Sequence, residues 1–196
     1  DEGFHCIGAC CYVCTMTRYL REHTLRGPLI DSVPASGLRT VVVIPAKDEE
    51  NLIESLEALL HCNQTHFPAE VIVVVNTSER DGEDCHKHNK EIAGQAKDWA
   101  ATHSNSHLRF HILTQFHLPK KHAGVGLARK IGMDEACLRL EAVGNPTGVI
   151  VCFDGDSLCD RNYLTEIEKQ FDEYPKMQGA SIYFEHPLEG EQFSGE

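Results

Sequence analysis

Two carboxylates stand one glycine apart at Asp154-Gly155-Asp156, directly after the apolar run at residues 149–153. Carboxylates projecting together from a strand end repel one another, and a divalent cation relieves that repulsion. Mg²⁺ or Mn²⁺ suits such hard oxygen ligands and would be shared with a diphosphate, which the slim glycine lets approach. A turn in which one aspartate caps the next helix would use the same letters. A second group is Gly124-Val125-Gly126-Leu127-Ala128-Arg129-Lys130, behind the basic cluster Lys120-Lys121-His122. Glycines at a helix start leave backbone N–H groups open to an anion, and Arg129 sits about a turn further in. This is neither a P-loop, since no Gly-Lys-Ser/Thr follows a strand, nor the dinucleotide fingerprint, which needs a third glycine. A flexible loop feeding an amphipathic helix is its plain alternative. Pro45-Ala46-Lys47-Asp48-Glu49 and Asn76-Thr77-Ser78 each follow an apolar run, where polar side chains can hydrogen-bond a base and a ribose. A helix cap and a turn explain those letters as well; their joint placement with Asp154 and Asp156 favours a nucleotide site.

The elements that must position these groups are legible from periodicity. Residues 41–44, 71–75 and 148–153 are continuous apolar runs of the kind found in buried parallel strands. Leu108, Phe110 and Ile112 alternate with Arg109 and His111 as a more exposed strand, and Ala180, Ile182 and Phe184 alternate as a last one. Helical stripes fall at Leu52, Ile53, Leu56, Leu59 and Leu60, at Ile92, Ala96 and Trp99, and at Tyr163, Leu164, Ile167, Phe171 and Tyr174. A further stripe, Val125, Ala128, Gly132, Ala136, Leu140 and Val143, has small residues that let its helix lie close against a sheet. Asp48 is placed to cap the first helix, with Glu49 and Glu50 complementing its dipole. Strand–helix units in series predict a mostly parallel α/β sheet with helices on both faces. In such sheets ligands bind beyond the carboxyl ends of the strands. Residues 1–38 read as an N-terminal helical extension and 39–196 as the nucleotide-binding domain.

Composition narrows the function classes. The chain has 196 residues, 30 acidic against 18 basic, and a formal net charge of −12. That balance argues against a general nucleic-acid binder and against an anionic membrane surface as partner. No apolar run approaches the roughly 20 residues of a transmembrane helix. Residues 1–14 start acidic and lack the apolar core of a signal peptide, so the expected location is cytoplasmic. Nine cysteines, an odd number, point to reduced thiols. Cys62, Cys85, Cys137, Cys152 and Cys159 read as small buried hydrophobes. Cys6, Cys10, Cys11 and Cys14 lie near His5 and His23, but no separated second pair completes a zinc site, so they read as free thiols on an N-terminal helix.

Taken in order, these motifs resemble the GT-A glycosyltransferases, and among them glycosyltransferase family 2. Residues 41–50, reading VVVIPAKDEE, are similar to that family's first strand and its Pro-x-x-Asn-Glu signature, and residues 70–76 to its second strand. Residues 124–132 are similar to its Gly-x-x-x-Ala-Arg-Asn-x-Gly pattern, with Lys130 in place of Asn, and Asp154-Gly155-Asp156 to its Asp-x-Asp metal motif. The resemblance covers about residues 40–184 and implies a Rossmann-like fold for nucleotide-diphospho-sugars. It implies that Pro45, Ala46 and Asp48 line the base pocket, that Glu49 supports that loop, and that Gly124 and Arg129 face the diphosphate. Asp154 would lie near ribose and metal, and Asp156 would coordinate Mn²⁺ or Mg²⁺. Asn76 stands where the family has an aspartate, which leaves open whether the donor is a UDP- or a GDP-sugar.

The resemblance implies a metal-dependent, inverting transfer of sugar to an acceptor the sequence does not specify. The family's general base lies in an acidic motif further along. Glu185 and His186 follow the last expected strand, the first as nearest candidate base and the second as a candidate metal ligand. The acceptor part is expected to be incomplete, with the fold truncated on its C-terminal side. Two other functions use similar parts. A sugar-nucleotide pyrophosphorylase would show a Gly-rich loop with arginine after the first strand, which Pro45-Ala46-Lys47-Asp48 is not. A non-catalytic nucleotide-binding or assembly module would bind donor without transfer.

Overall fold

A computed structural model describes residues 18–121 and 123–183. Four strands, β1 (Thr40–Ala46), β2 (Ala69–Ser78), β3 (Leu108–Leu118) and β4 (Val149–Cys152), form one sheet in the order β3-β2-β1-β4. Every pairing is parallel. The helices between and after them are α1 (Leu52–Leu60), α2 (Glu83–His103), α3 (Val125–Ala142) and α4 (Tyr163–Glu173). The chain builds outward from β1 to β2 and β3, then α3 carries it back to β4 on the other side of β1. The carboxyl ends of β1 and β4 therefore flank the topological switch point, where parallel sheets open a crevice.

The continuous apolar runs are explained by burial on two faces. Val42, Ile44, Val71, Val73 and Val75 pack with Leu52, Leu56 and Leu59 of α1, Ile92 and Ala96 of α2, and Leu164 and Ile167 of α4. The alternate residues Val41, Val43, Ile72 and Val74 pack on the opposite face with Ala128, Ile131, Ala136 and Leu140 of α3 and with Ala35 and Leu38. This is the period-two alternation of a strand with both sides covered. Pro45 fits inside β1 because β4 has ended beside it. Phe153 N–H donates to Val43 O at 3.0 Å, and Pro45 faces the same edge one step further on.

The close helix approach anticipated from small residues is realised at Gly132. A Cβ there would lie 2.5 Å from Val43 Cγ1 and 3.2 Å from Val74 Cγ2. Only glycine lets α3 sit this deep over β1 and β2.

Residues 18–23 are helical, and 24–38 run irregularly along the α3 face. Buried carboxylates hold this stretch by its backbone. Asp134 accepts Leu25 N–H at 3.0 Å, Glu135 accepts Leu29 N–H at 2.7 Å, and Glu70 accepts Ala35 N–H at 2.9 Å. Burial pushes the Glu70 carboxyl up, but His111, Arg139 and the Ala35 N–H outweigh it and hold it at about 2. Lys130, which departs from the family pattern, joins the same network through Asp134, Tyr19 Oη and the His23 carbonyl.

Several expectations need correction. Residues 180–183 form no strand, and Ile182 and Tyr183 are exposed, because alternation marks a face but does not by itself supply a neighbouring strand. Phe184 lies outside the described residues, as do Cys6, Cys10, Cys11, Cys14 and His122. Asp48 does not cap α1: Asn51 occupies the cap position, without a side-chain hydrogen bond. Val125 and Tyr174 are exposed rather than packed, since both lie at helix termini beyond the sheet. Cys152 is exposed at the end of β4, and Cys62, Cys85, Cys137 and Cys159 are only half-buried.

These contacts give a paired prediction. Gly132→Ala should lower stability by about 1–3 kcal/mol, because overpacking against buried valines exceeds the gain in helix propensity. Gly126→Ala, where a Cβ meets nothing within 4 Å, should be neutral or stabilising by up to about 1 kcal/mol. Urea unfolding with unchanged m-values checks both.

Candidate functional site

The crevice at the ends of β1 and β4 is lined by short segments whose positions follow from the sheet. β1 delivers residues 45–49. Asp48 turns the chain with a φ of 57° and is tied down from α2: its N–H donates to Asn89 Oδ1 at 3.0 Å, and Asn89 Nδ2 donates to its carboxylate at 2.6 Å. Lys47 Nζ reaches Asp81 at 2.8 Å, linking the β1 and β2 loops. Burial opposes the charge on Lys47, yet the hydrogen bond to Asp81 prevails and raises its pKa; Lys47 and the Ser78 N–H in turn lower that of Asp81. β2 places buried Asn76 one step beyond the Ala46–Val75 pair, beside the 45–49 loop. Next to it Thr77 Oγ1 meets His86 Nδ1 at 2.7 Å and accepts the His117 N–H at 3.2 Å.

β4 delivers Asp154, Gly155 and Asp156 as a turn in which Ser157 N–H donates to the Asp154 carbonyl at 3.1 Å. Ser55 of α1 donates its hydroxyl to the Gly155 carbonyl at 2.8 Å and so anchors the turn. A Cβ on Gly155 would lie 3.1 Å from Glu49 Cγ, so the glycine brings the β1 and β4 loops into contact. α3 supplies Arg129, whose Nη2 donates to Asp154 Oδ1 at 2.7 Å. Its buried Nε has no partner among the described residues. Gly124 begins α3 with a φ of +150°, a conformation natural only to glycine.

The electrostatics are those of crowded anions. Burial raises the pKa of Glu49, and Asp156, Asp154 and Asp48 raise it further. Among the described residues no group of three His, Cys, Asp or Glu side chains could by itself hold a metal ion. The donor set nevertheless fits a hard divalent cation that would draw its remaining ligands from a diphosphate. Pro45, Ala46, Asp48, Glu49, Asn76, Arg129, Asp154 and Asp156 are thus brought to one end of the sheet, with Gly124 a turn from Arg129. Glu185 and His186 lie outside the described residues.

Asn89 and Ser55, which hold Asp48 and Gly155, were not singled out from sequence. Both carry a readable signal: Asn89 precedes Ile92 and Ala96 on the same stripe, and Ser55 shares the face of Leu52, Leu56 and Leu59. A small polar residue on a buried stripe requires an internal partner.

The raised Glu49 pKa sets a pH dependence. The folded state holds the Glu49 proton more tightly than the unfolded chain, so stability is lost as pH rises from the ordinary value of 4.5 through the raised one. Glu49→Gln should therefore raise Tm at neutral pH, and the difference should vanish in acid below that ordinary value. Thermal unfolding of both proteins across pH checks this.

A model of the family described as "Glycosyl transferase family 2" matches residues 41–190. No curated protein matches the chain. Among solved structures, Staphylococcus aureus TarS residues 1–349 is similar at 18% identity and a TM-score of 0.44, over 70% of this chain and 33% of that one. The mannosyltransferase PcManGT from Pyrobaculum calidifontis, solved with GDP-Man and Mn²⁺, is similar at 19% identity and a TM-score of 0.36, over 83% and 39%. The chain spans between a third and two fifths of these solved relatives. Its sheet is all-parallel, with the switch point between β1 and β4. With the family model covering most of its length, the chain belongs to glycosyl transferase family 2.

Proposed function

We propose that the β1–β4 crevice binds a nucleotide-diphospho-sugar, UDP- or GDP-linked, and that the protein transfers its sugar to an acceptor hydroxyl with inversion. The observation that carries this reading is the meeting of Arg129 with Asp154, beside Asp156 and Glu49, at the switch point of a parallel sheet. A strong cation donor and crowded carboxylates at one crevice suit a diphosphate and a divalent ion together.

Each residue then has a task. Pro45, Ala46 and Asp48 line the base pocket, in a loop held rigid by Asn89 and by the Lys47–Asp81 pair. Asn76 at the end of β2 bears on the choice of base. Arg129, whose Nε has no partner among the described residues, donates to phosphate oxygens and opposes charge growing on the departing diphosphate. Asp156 and Asp154 would hold Mn²⁺ or Mg²⁺, which when bound supplies Lewis-acid stabilisation of the same leaving group. Gly155 keeps the turn slim between these carboxylates. In-line attack by the acceptor hydroxyl on the anomeric carbon requires a base on the opposite side of the sugar. The nearest candidate for that base is Glu185, with His186 as a candidate metal ligand; a plain loop pair is the alternative for both.

Titration calorimetry with UDP and GDP, with and without Mn²⁺, tests the reading. One nucleotide should bind in a Mn²⁺-dependent manner, and Asp156→Ala should remove that dependence. Arg129→Ala should weaken diphosphate binding roughly 10- to 100-fold, the loss of a charged hydrogen bond, and nucleoside binding little. Equal affinity in Asp156→Ala, equal losses for both ligands in Arg129→Ala, or binding of neither nucleotide would refute it.

A further inference from the structure

The turn carrying Asp154 and Asp156 leads into a loop that ends at α4, and this loop touches the end of α1 at a second chemical feature. Cys62, just past α1, and Cys159, three residues after Asp156, bring their sulfurs to 3.8 Å although 97 positions apart. The surrounding backbone holds them together: Asn63 N–H donates to the Arg161 carbonyl at 2.6 Å. Among the described residues Cys62 also contacts the carbonyls of Ala58 and Asp160. Both thiols are half-buried, neither sealed in the core nor free on the surface.

We propose that Cys62 and Cys159 form a reversible dithiol–disulfide pair that fastens the loop carrying Asp154 and Asp156 to the end of α1. A disulfide requires the sulfurs to close to about 2.05 Å, a movement within reach of two surface loops.

The two thiols are not equivalent. A hydrogen bond between the two sulfurs, in which either can donate, and the Leu164 N–H, in the first turn of α4, lower the Cys62 pKa to about 7 against burial. The same pairing, together with burial, raises that of Cys159. With Cys62 as the attacking thiol, Cys159 resolves the intermediate; the reverse order gives the same disulfide. With a peroxide as oxidant, the Cys62 thiolate attacks one peroxide oxygen and displaces hydroxide, leaving a sulfenic acid. The Cys159 sulfur then attacks the Cys62 sulfur; the S–O bond breaks and the departing hydroxide takes the Cys159 proton as water. Two thiols and one hydrogen peroxide give one disulfide and two waters, and a dithiol reductant reverses the bond.

The test uses the whole chain, treated with an equivalent of hydrogen peroxide, blocked with N-ethylmaleimide and digested without reductant. The expected product is a peptide pair joined through Cys62 and Cys159, lighter by two hydrogens than the separate thiol peptides and released by dithiothreitol. The oxidised protein should melt higher than the reduced one, and Cys159→Ser should abolish that rise. Recovery of both cysteines as maleimide adducts, sulfinic acid at Cys62 without a cross-link, or Cys62 joined to a different cysteine would overturn the proposal.

Discussion

The approach of α3 to the sheet at Gly132 sets the geometry of everything above it. With no side chain at that position, the helix settles onto Val43 and Val74 at a distance no other residue allows. One turn toward its N-terminus lies Arg129, and the depth of the helix decides whether that guanidinium reaches Asp154. Packing on one face of the sheet thereby fixes charge placement at its end.

That placement matters because the crevice concentrates negative charge. Asp48, Glu49, Asp154 and Asp156 arrive from two strand ends that the topology forces together, and among them Glu49 is pushed toward protonation by its neighbours. The arrangement is costly to an isolated domain and suits the proposed uptake of a cation together with phosphate groups. The polar anchors beneath it, Asn89 on Asp48 and Ser55 on Gly155, hold the loops against this repulsion. On the α3 side of the sheet buried carboxylates do different work: Asp134 and Glu135 of α3 and Glu70 of β2 bind the backbone N–H groups of Leu25, Leu29 and Ala35 and fasten that stretch.

Much of this was legible before the fold was known. The apolar runs of β1, β2 and β4 and the stripe of α3 follow from burial on two faces, which periodicity reports directly. The strand-end rule then directs attention to residues 45–50, 76–81 and 154–156 without any contact information. What failed did so for local reasons. Asp48 has the letters of a helix cap, but its carboxylate is claimed by Asn89, a long-range partner that no spacing announces. Ala180 and Ile182 alternate like a strand, yet alternation describes a face and not a partner, and the described chain offers no ladder beside them. Lys130 reads as a departure from a site motif; its ammonium in fact serves the N-terminal stretch through Asp134 and Tyr19. The pairing of Cys62 with Cys159 was likewise invisible, since half-buried thiols and core thiols look alike in sequence.

The account rests on one claim: that the switch-point crevice, and not another part of the sheet end, receives a diphosphate with its metal. A crystal structure of the chain with UDP or GDP and Mn²⁺, located by the anomalous signal of manganese, tests this most directly. The account predicts manganese against the Asp156 carboxylate and the diphosphate beside Arg129, with the base between Asp48 and Asn76. Manganese and nucleotide bound instead at the β3 edge, or a diphosphate seated away from both Arg129 and Asp156, would contradict it.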